Sequence, residues 1–217
     1  MNEKEAALIL EFSLGDLMAI IDQYRNTIYS AILGYLTSSK TVRADRNTAR
    51  RAVQEAYYPA AEQGLKDGGG EPPLQGEDLE WLNARTDQER ANIDNLFVSL
   101  KQLRADPEFT KDEAFAIASQ KADNYSVTLQ SIYNEAKTRG GKNIMLTFGG
   151  TDGHTEGFPC PTCKRVKGQR HRAKWWVTRN LIPYPGNDTF ECGCWQCQHF
   201  LFDDNGKIFT VPLIMNQ

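Results

Sequence analysis

Five cysteines, Cys160, Cys163, Cys192, Cys194 and Cys197, all lie in the last third of a 217-residue chain whose first 159 residues have none. Cys160-Pro-Thr-Cys163 places two sulfurs on one tight turn, and Cys194-Trp-Gln-Cys197 repeats the arrangement further on. In a reducing compartment such clustered pairs hold a metal more often than they form disulfides. Zn2+ needs four soft ligands converging at about 2.3 Å, which two such turns supply. Cys192 is one sulfur too many, and His199 is able to replace a sulfur; the spacing alone favours Cys194 over Cys192. A site closed by four thiolates has no position for water, so the expected Zn2+ is structural. It would replace core in a stretch poor in apolar residues, where metal binding contributes about 10 kcal/mol or more.

The stretch "CPTCKRVKGQRHRAKWW", residues 160–176, also carries a dense basic block. Lys164, Arg165, Lys167, Arg170, Arg172, Lys174 and Arg179 surround the first turn, and no acid interrupts them between Gly157 and Asn187. These residues suit a phosphate-binding face, with Trp175, Trp176 or Trp195 stacking on bases. They equally suit docking on an acidic protein surface, or a solvated surface whose tryptophans fill a small core.

Catalytic readings are weaker. Two Cys-x-x-Cys turns with His171, Asn187 and His199 in order suggest an HNH-type nuclease, but Arg170 stands where that class carries a metal-binding acid, and apolar strand follows His199. Without that carboxylate the second metal lacks its holder. "GGTDG" at 149–153 lacks the Lys-Ser/Thr ending of a phosphate loop. His154 and Glu156 would be ligand and base only at an open metal site. Acids such as Asp78, Glu80, Asp112 and Glu113 are placed as helix-start residues. No catalytic residue and no enzyme is expected.

The elements that must position these residues read in two parts. Leu10, Leu14, Leu17, Ile21, Tyr24, Ile28, Ala31 and Tyr35 keep one seam of a helix from about Glu3 to Leu36. A second helix is expected from about Ala44 to Gly64, bent or interrupted at Pro59. "KDGGGEPPLQG" then predicts a flexible loop at about 66–76. A third helix reaches Ala105 with Ile93, Leu96, Phe97, Leu100 and Leu103 buried. Thr110 and Glu113 form a capping-box pattern that opens a long helix along Phe115, Ala118, Ala122, Tyr125, Leu129, Ile132 and Ala136. Gly140 and Gly141 supply a left-handed stop. Thirty residues make a rod of about 45 Å, long enough to meet another helix or chain. Beyond it "NIMLTF" predicts a strand, and "FLFDDNGKIFTV" a hairpin turning at Asn205 and Gly206. The expected class is α+β: a mostly helical region over 1–141, then a small zinc-stapled β-rich domain over 142–217.

Bulk properties narrow the partners. The net charge of −3 argues against coating nucleic acid over the whole surface, so any such contact is local. No apolar run of about eighteen residues suggests a membrane span, and the acidic opening "MNEKEAALILEF" is unlike a secretory signal. A cytoplasmic protein is expected.

A helical first part, one strand, "CPTCKRVKGQRHR", "PGNDTFECGCWQCQH" and a closing hairpin together resemble the Mu F-like head morphogenesis family, the minor head proteins of tailed bacteriophages. Cys160, Cys163, Lys167, Gly168, Cys192, Cys197 and His199 stand at the comparable places. The resemblance covers about residues 80–210, with its specific part in the last sixty. It implies a virion component made in the host cytoplasm and acting near the portal in head assembly, genome packaging or delivery. Portal and capsid proteins would be its partners, with self-association through the helices and DNA as a further contact. It also implies Cys192 in place of Cys194, against the spacing. The competing reading is a zinc-ribbon nucleic-acid-binding regulator.

Overall fold

The computed structural model describes residues 3–38, 42–151, 160–184, 187–191 and 198–210. Four helices come first: α1 (Glu3–Thr37), α2 (Val42–Asp67), α3 (Gly76–Arg104) and α4 (Lys111–Gly140). They are followed by β1 (Met145–Thr151), α5 (Pro161–Val166), β2 (Arg170–Arg172), α6 (Ala173–Thr178) and β3 (Gln198–Phe202). The chain is therefore mostly α-helical with one small antiparallel sheet near its end, an α+β fold. Among the described residues no helix is long and apolar enough to cross a membrane. Two compact units form, one from residues up to Ala60 with Gln75–Leu129, the other from Ala61–Leu74 with residues from Gln130 onward.

The first unit is held by helix seams. Leu17, Ile21, Tyr24, Ile28, Ala31 and Tyr35 of α1 are buried as the four-three spacing predicts; Leu10 and Leu14 lie outside the described side chains. α2 runs unbroken through Pro59, and its face of Ala49, Ala52, Val53, Ala56 and Tyr57 is buried. Small side chains let neighbouring backbones come close. On α3 the buried stripe is Leu82, Thr86, Glu89, Ile93, Phe97 and Leu100. Leu103, expected on that face, is exposed. The stripe continues four residues after Leu100 at Arg104, whose guanidinium donates to the Tyr35 carbonyl at 2.9 Å and lies 5.1 Å from that ring's centre.

The capping box forms as expected: the Glu113 amide donates to the Thr110 hydroxyl at 3.2 Å, and Glu113 accepts from the Thr110 amide at 2.8 Å. The Thr110 amide and then its hydroxyl, both donating to the Glu113 carboxyl at 2.8 Å, hold it below its ordinary value. Ala114, Ala118 and Ala122 are buried on α4, whereas Phe115 is exposed beneath the Lys111 ammonium. Ala114, Ala118 and Ala122 follow one another at spacings of four, and Phe115 lies about 100° round the helix from that row.

In the second unit α4 is buried at every residue from Gln130 to Ala136. The end of α2 lies against it so closely that a Cβ on Gly64 would sit 2.3 Å from the Tyr133 carbonyl oxygen, and one on Gly68 2.1 Å from that of Lys137. Gly140 stands in the same position toward the Leu65 carbonyl, at 2.3 Å. Neither Gly140 nor Gly141 has positive φ, so the expected left-handed stop is absent; close approach of two backbones is the reason for glycine there. Gly68 to Gly70, within the stretch expected as a loop, bond back to Gly64, Lys66 and Leu65.

The sheet has the order β2-β1-β3. Leu146 pairs with His171 on one side of β1, and Phe148 with Leu201 on the other. Phe148 anchors the core beneath, its centroid 5.9 Å from those of Trp176 and Phe190. Leu146, Val166, Ile182 and Leu201 complete it. The predicted hairpin is present: Asp203 Oδ1 accepts the amides of Asn205 and Lys207, and Gly206 takes φ +73°.

Candidate functional site

The first cysteine turn is built by α5. Pro161 occupies the first helical position, where a missing N–H costs nothing, and Cys160 precedes it as the cap. The Cys163 amide donates to Cys160 Sγ at 3.3 Å. An N–H directed at sulfur favours the thiolate. Both cysteines are buried in the core of the second unit. Gly168, with φ +76°, ends the turn, and its amide donates to the Phe148 carbonyl at 2.8 Å. The turn is thereby fixed to β1.

A residue that sequence reasoning passed over completes the turn. Glu191 accepts the Thr162 amide at 3.0 Å. Its own amide, then the hydroxyl and amide of Thr162, hold its carboxyl down to about 2, with a smaller contribution from Cys160. Glu191 immediately precedes Cys192 in the chain. Its only signal in the sequence is that it stands directly beside Cys192, the second acid, after Asp188, to follow a long acid-free run. Cys192, Cys194 and Cys197 lie outside the described residues, as do Trp195, His154 and Glu156. Among the described residues no group of three or more His, Cys, Asp or Glu side chains is placed to hold a metal.

All seven basic residues are exposed, but they are engaged differently. Arg170 grips Asp204 with two bonds, at 2.9 and 2.7 Å, which lowers the Asp204 carboxyl and raises the guanidinium. Arg172 donates to Asn143 at 3.0 Å. Alternation along β2 sends Arg170 and Arg172 to one face and His171 to the other. His171 stacks on Trp175, centroids 3.7 Å apart at 14°, and Arg179 lies 4.5 Å from the same ring. Arg165 and Arg179 come together on a cleft of about 390 Å³, also lined by Val166, Gln169, Trp175 and Leu181. Lys164, Lys167 and Lys174 do not line it.

Of the tryptophans named for base stacking, Trp176 is fully buried and donates through Nε1 to the Leu146 carbonyl at 3.1 Å. It is core, because adjacent residues on α6 point about 100° apart, so Trp176 packs under the sheet while Trp175, in edge contact with it at 4.9 Å, stays half-buried. The His171, Asn187 and His199 trio does not converge. His171 pairs with Leu146 on β2 and His199 with Gly150 on β3, on opposite sides of β1, which separates them by about 16 Å from strand spacing and rise. Asn187 is a loop staple: it donates to the carbonyls of Asn180 and Ile182 at 2.8 and 2.9 Å and accepts the Thr189 amide at 3.0 Å. It holds the turn in which Asn180 adopts φ 52°.

No family model, curated protein or solved structure matches this chain.

Proposed function

We propose that this chain is a structural and assembly protein of a tailed-phage head, acting near the portal, with Zn2+ clasping its second unit and a basic surface meeting DNA or an acidic protein. The carrying observation is the Glu191 bond to the Thr162 amide. It ties Glu191, the residue before Cys192 in the chain, to the turn bearing Cys160 and Cys163, which supports a site drawing on both cysteine clusters. The N–H···S bond within the turn suits a thiolate, and because burial by itself favours the neutral thiol, two buried thiolates call for a cation between them. Cys160 and Cys163 would be two ligands, with the remainder drawn from Cys192, Cys194, Cys197 and His199. The Zn2+ would supply cross-linking and no catalysis, since thiolates fill its coordination. Long helices with seams suit contact with portal or capsid chains and with further copies, in the host cytoplasm during assembly and then in the virion.

The deciding experiment is elemental analysis of gently purified protein together with capture of portal and capsid chains by the tagged full chain. One equivalent of zinc with selective capture is expected. A metal-free native protein that retains neither partner would sink the proposal.

The regulator reading draws support from the exposure of all seven cations. It requires duplex or single-strand binding that weakens steeply with salt and disappears in the triple variant Arg170→Ala, Arg172→Ala, Lys174→Ala. Salt-insensitive binding, or binding unchanged in the triple variant, would reject it.

A further inference from the structure

The cleft beside α6 has a composition that the rest of the basic surface lacks. Its lining is mostly apolar, from buried Val166 and Leu181 and the Trp175 ring, and the exposed side chains of Arg165 and Arg179 border it. Among the described residues no carboxylate lines it. Arg165 spends one donor on the Thr162 hydroxyl at a long 3.4 Å, while Arg179 meets only the Trp175 ring among the described residues. Both planar forks therefore keep N–H groups for an anion, and a guanidinium takes a carboxylate by paired bonds. A volume of about 390 Å³ lies within the range of small-ligand sites and admits a side chain or two.

We infer that this cleft receives an acidic peptide segment of a partner protein, one apolar side chain seated on Val166 and Leu181 while carboxylates on either side of it meet Arg165 and Arg179. A nucleic-acid strand fits less well. Bases need an open aromatic face, but Trp175 already carries His171 and Arg179, and Trp176 is buried. A duplex read through its phosphates gains nothing from an apolar lining. The inference deepens the proposed assembly role by naming what the basic surface recognises, yet it depends on this cleft and not on the identity of the assembly.

The test uses the full chain as purified and fluorescence anisotropy with a labelled peptide of alternating aspartate and leucine. Three competitors accompany it: a peptide with asparagine for aspartate, one with glycine for leucine, and oligothymidylate. Saturable binding is expected, weaker by about tenfold in Arg179→Gln and in Arg165→Gln, as expected for losing a charge-assisted bond. Lys207→Gln, which removes an exposed charge away from the cleft, should bind like the parent, and circular dichroism should show all three variants folded. The asparagine and glycine peptides should both compete poorly. Equal loss in Lys207→Gln, a glycine peptide as good as the leucine one, tighter binding of oligothymidylate, or no saturable binding would each overturn the inference. Zinc content and portal capture are read separately, so they can stand when this fails.

Discussion

Glu89 is the residue least expected where it stands: a carboxyl on the buried stripe of α3, only 6% exposed. Burial raises it above the usual glutamate value, against the opposing effects of the Asn92 amide, which donates to it at 2.8 Å, the nearby Tyr57 hydroxyl and the charge of Arg85. Burial raises the phenols of Tyr24, Tyr57 and Tyr125, and the Glu89 charge adds to it. A group whose folded value is raised contributes stability below its unfolded value and loses it as pH climbs through the folded one. The melting temperature of the parent should therefore fall, relative to Glu89→Gln, as pH rises from about 4.5. Parallel melting curves for the two proteins across that range would show that Glu89 carries no such linkage. Glu191 works in the opposite direction: the contribution of its lowered value is complete above the ordinary carboxylate range and is lost as pH falls from there to about 2. With Glu191→Ala the Thr162 amide loses its acceptor, and its hydrogen exchange, followed by NMR, should become faster. Unchanged protection there would mean that Glu191 does not hold the cysteine turn.

At the scale of elements, glycine does two different jobs in helices. Gly64 and Gly68 let the end of α2 touch the backbone of α4, and a methyl group at either place meets a carbonyl oxygen inside 2.4 Å of it, at 2.3 and 2.1 Å respectively. Gly64→Ala or Gly68→Ala should cost about 1–3 kcal/mol, the usual penalty of forcing packed elements apart, read as a lower urea midpoint. Gly15 in α1 has nothing within 4 Å of an added Cβ, so Gly15→Ala should be neutral or stabilise by up to about 1 kcal/mol. If all three variants shift the midpoint alike, close approach is not what selects glycine at 64 and 68. The seams of α1 and α4, the capping box and the Asn205-Gly206 turn were legible in the sequence because each depends on residues a few positions apart. The short β2, α5 and α6 were not, since three to six residues are too few for a period to emerge, and their pairing partners lie far away in the chain.

Across the whole molecule, the proposed zinc makes the clearest prediction. Chelation under reducing conditions, or Cys160→Ser, should abolish the near-ultraviolet dichroism of the Trp175 and Trp176 pair while most of the far-ultraviolet helix signal persists, because metal binding to such sites is worth about 10 kcal/mol or more of folding energy. A near-ultraviolet spectrum that survives metal removal would show that Phe148, Trp176 and Phe190 suffice as a core. The sequence alone determined the α+β succession, the helix seams and the clustering of sulfur and positive charge, because hydrophobic period, caps and spacing are local properties of the chain. Only the tertiary structure decided that Arg170 is bound to Asp204 while Arg165 and Arg179 share a cleft, that Trp176 is core while Trp175 carries a histidine and an arginine, and that Glu191 reaches the cysteine turn. Each of those outcomes depends on which distant residues the sheet and helices bring within a few ångströms, and no local pattern encodes that.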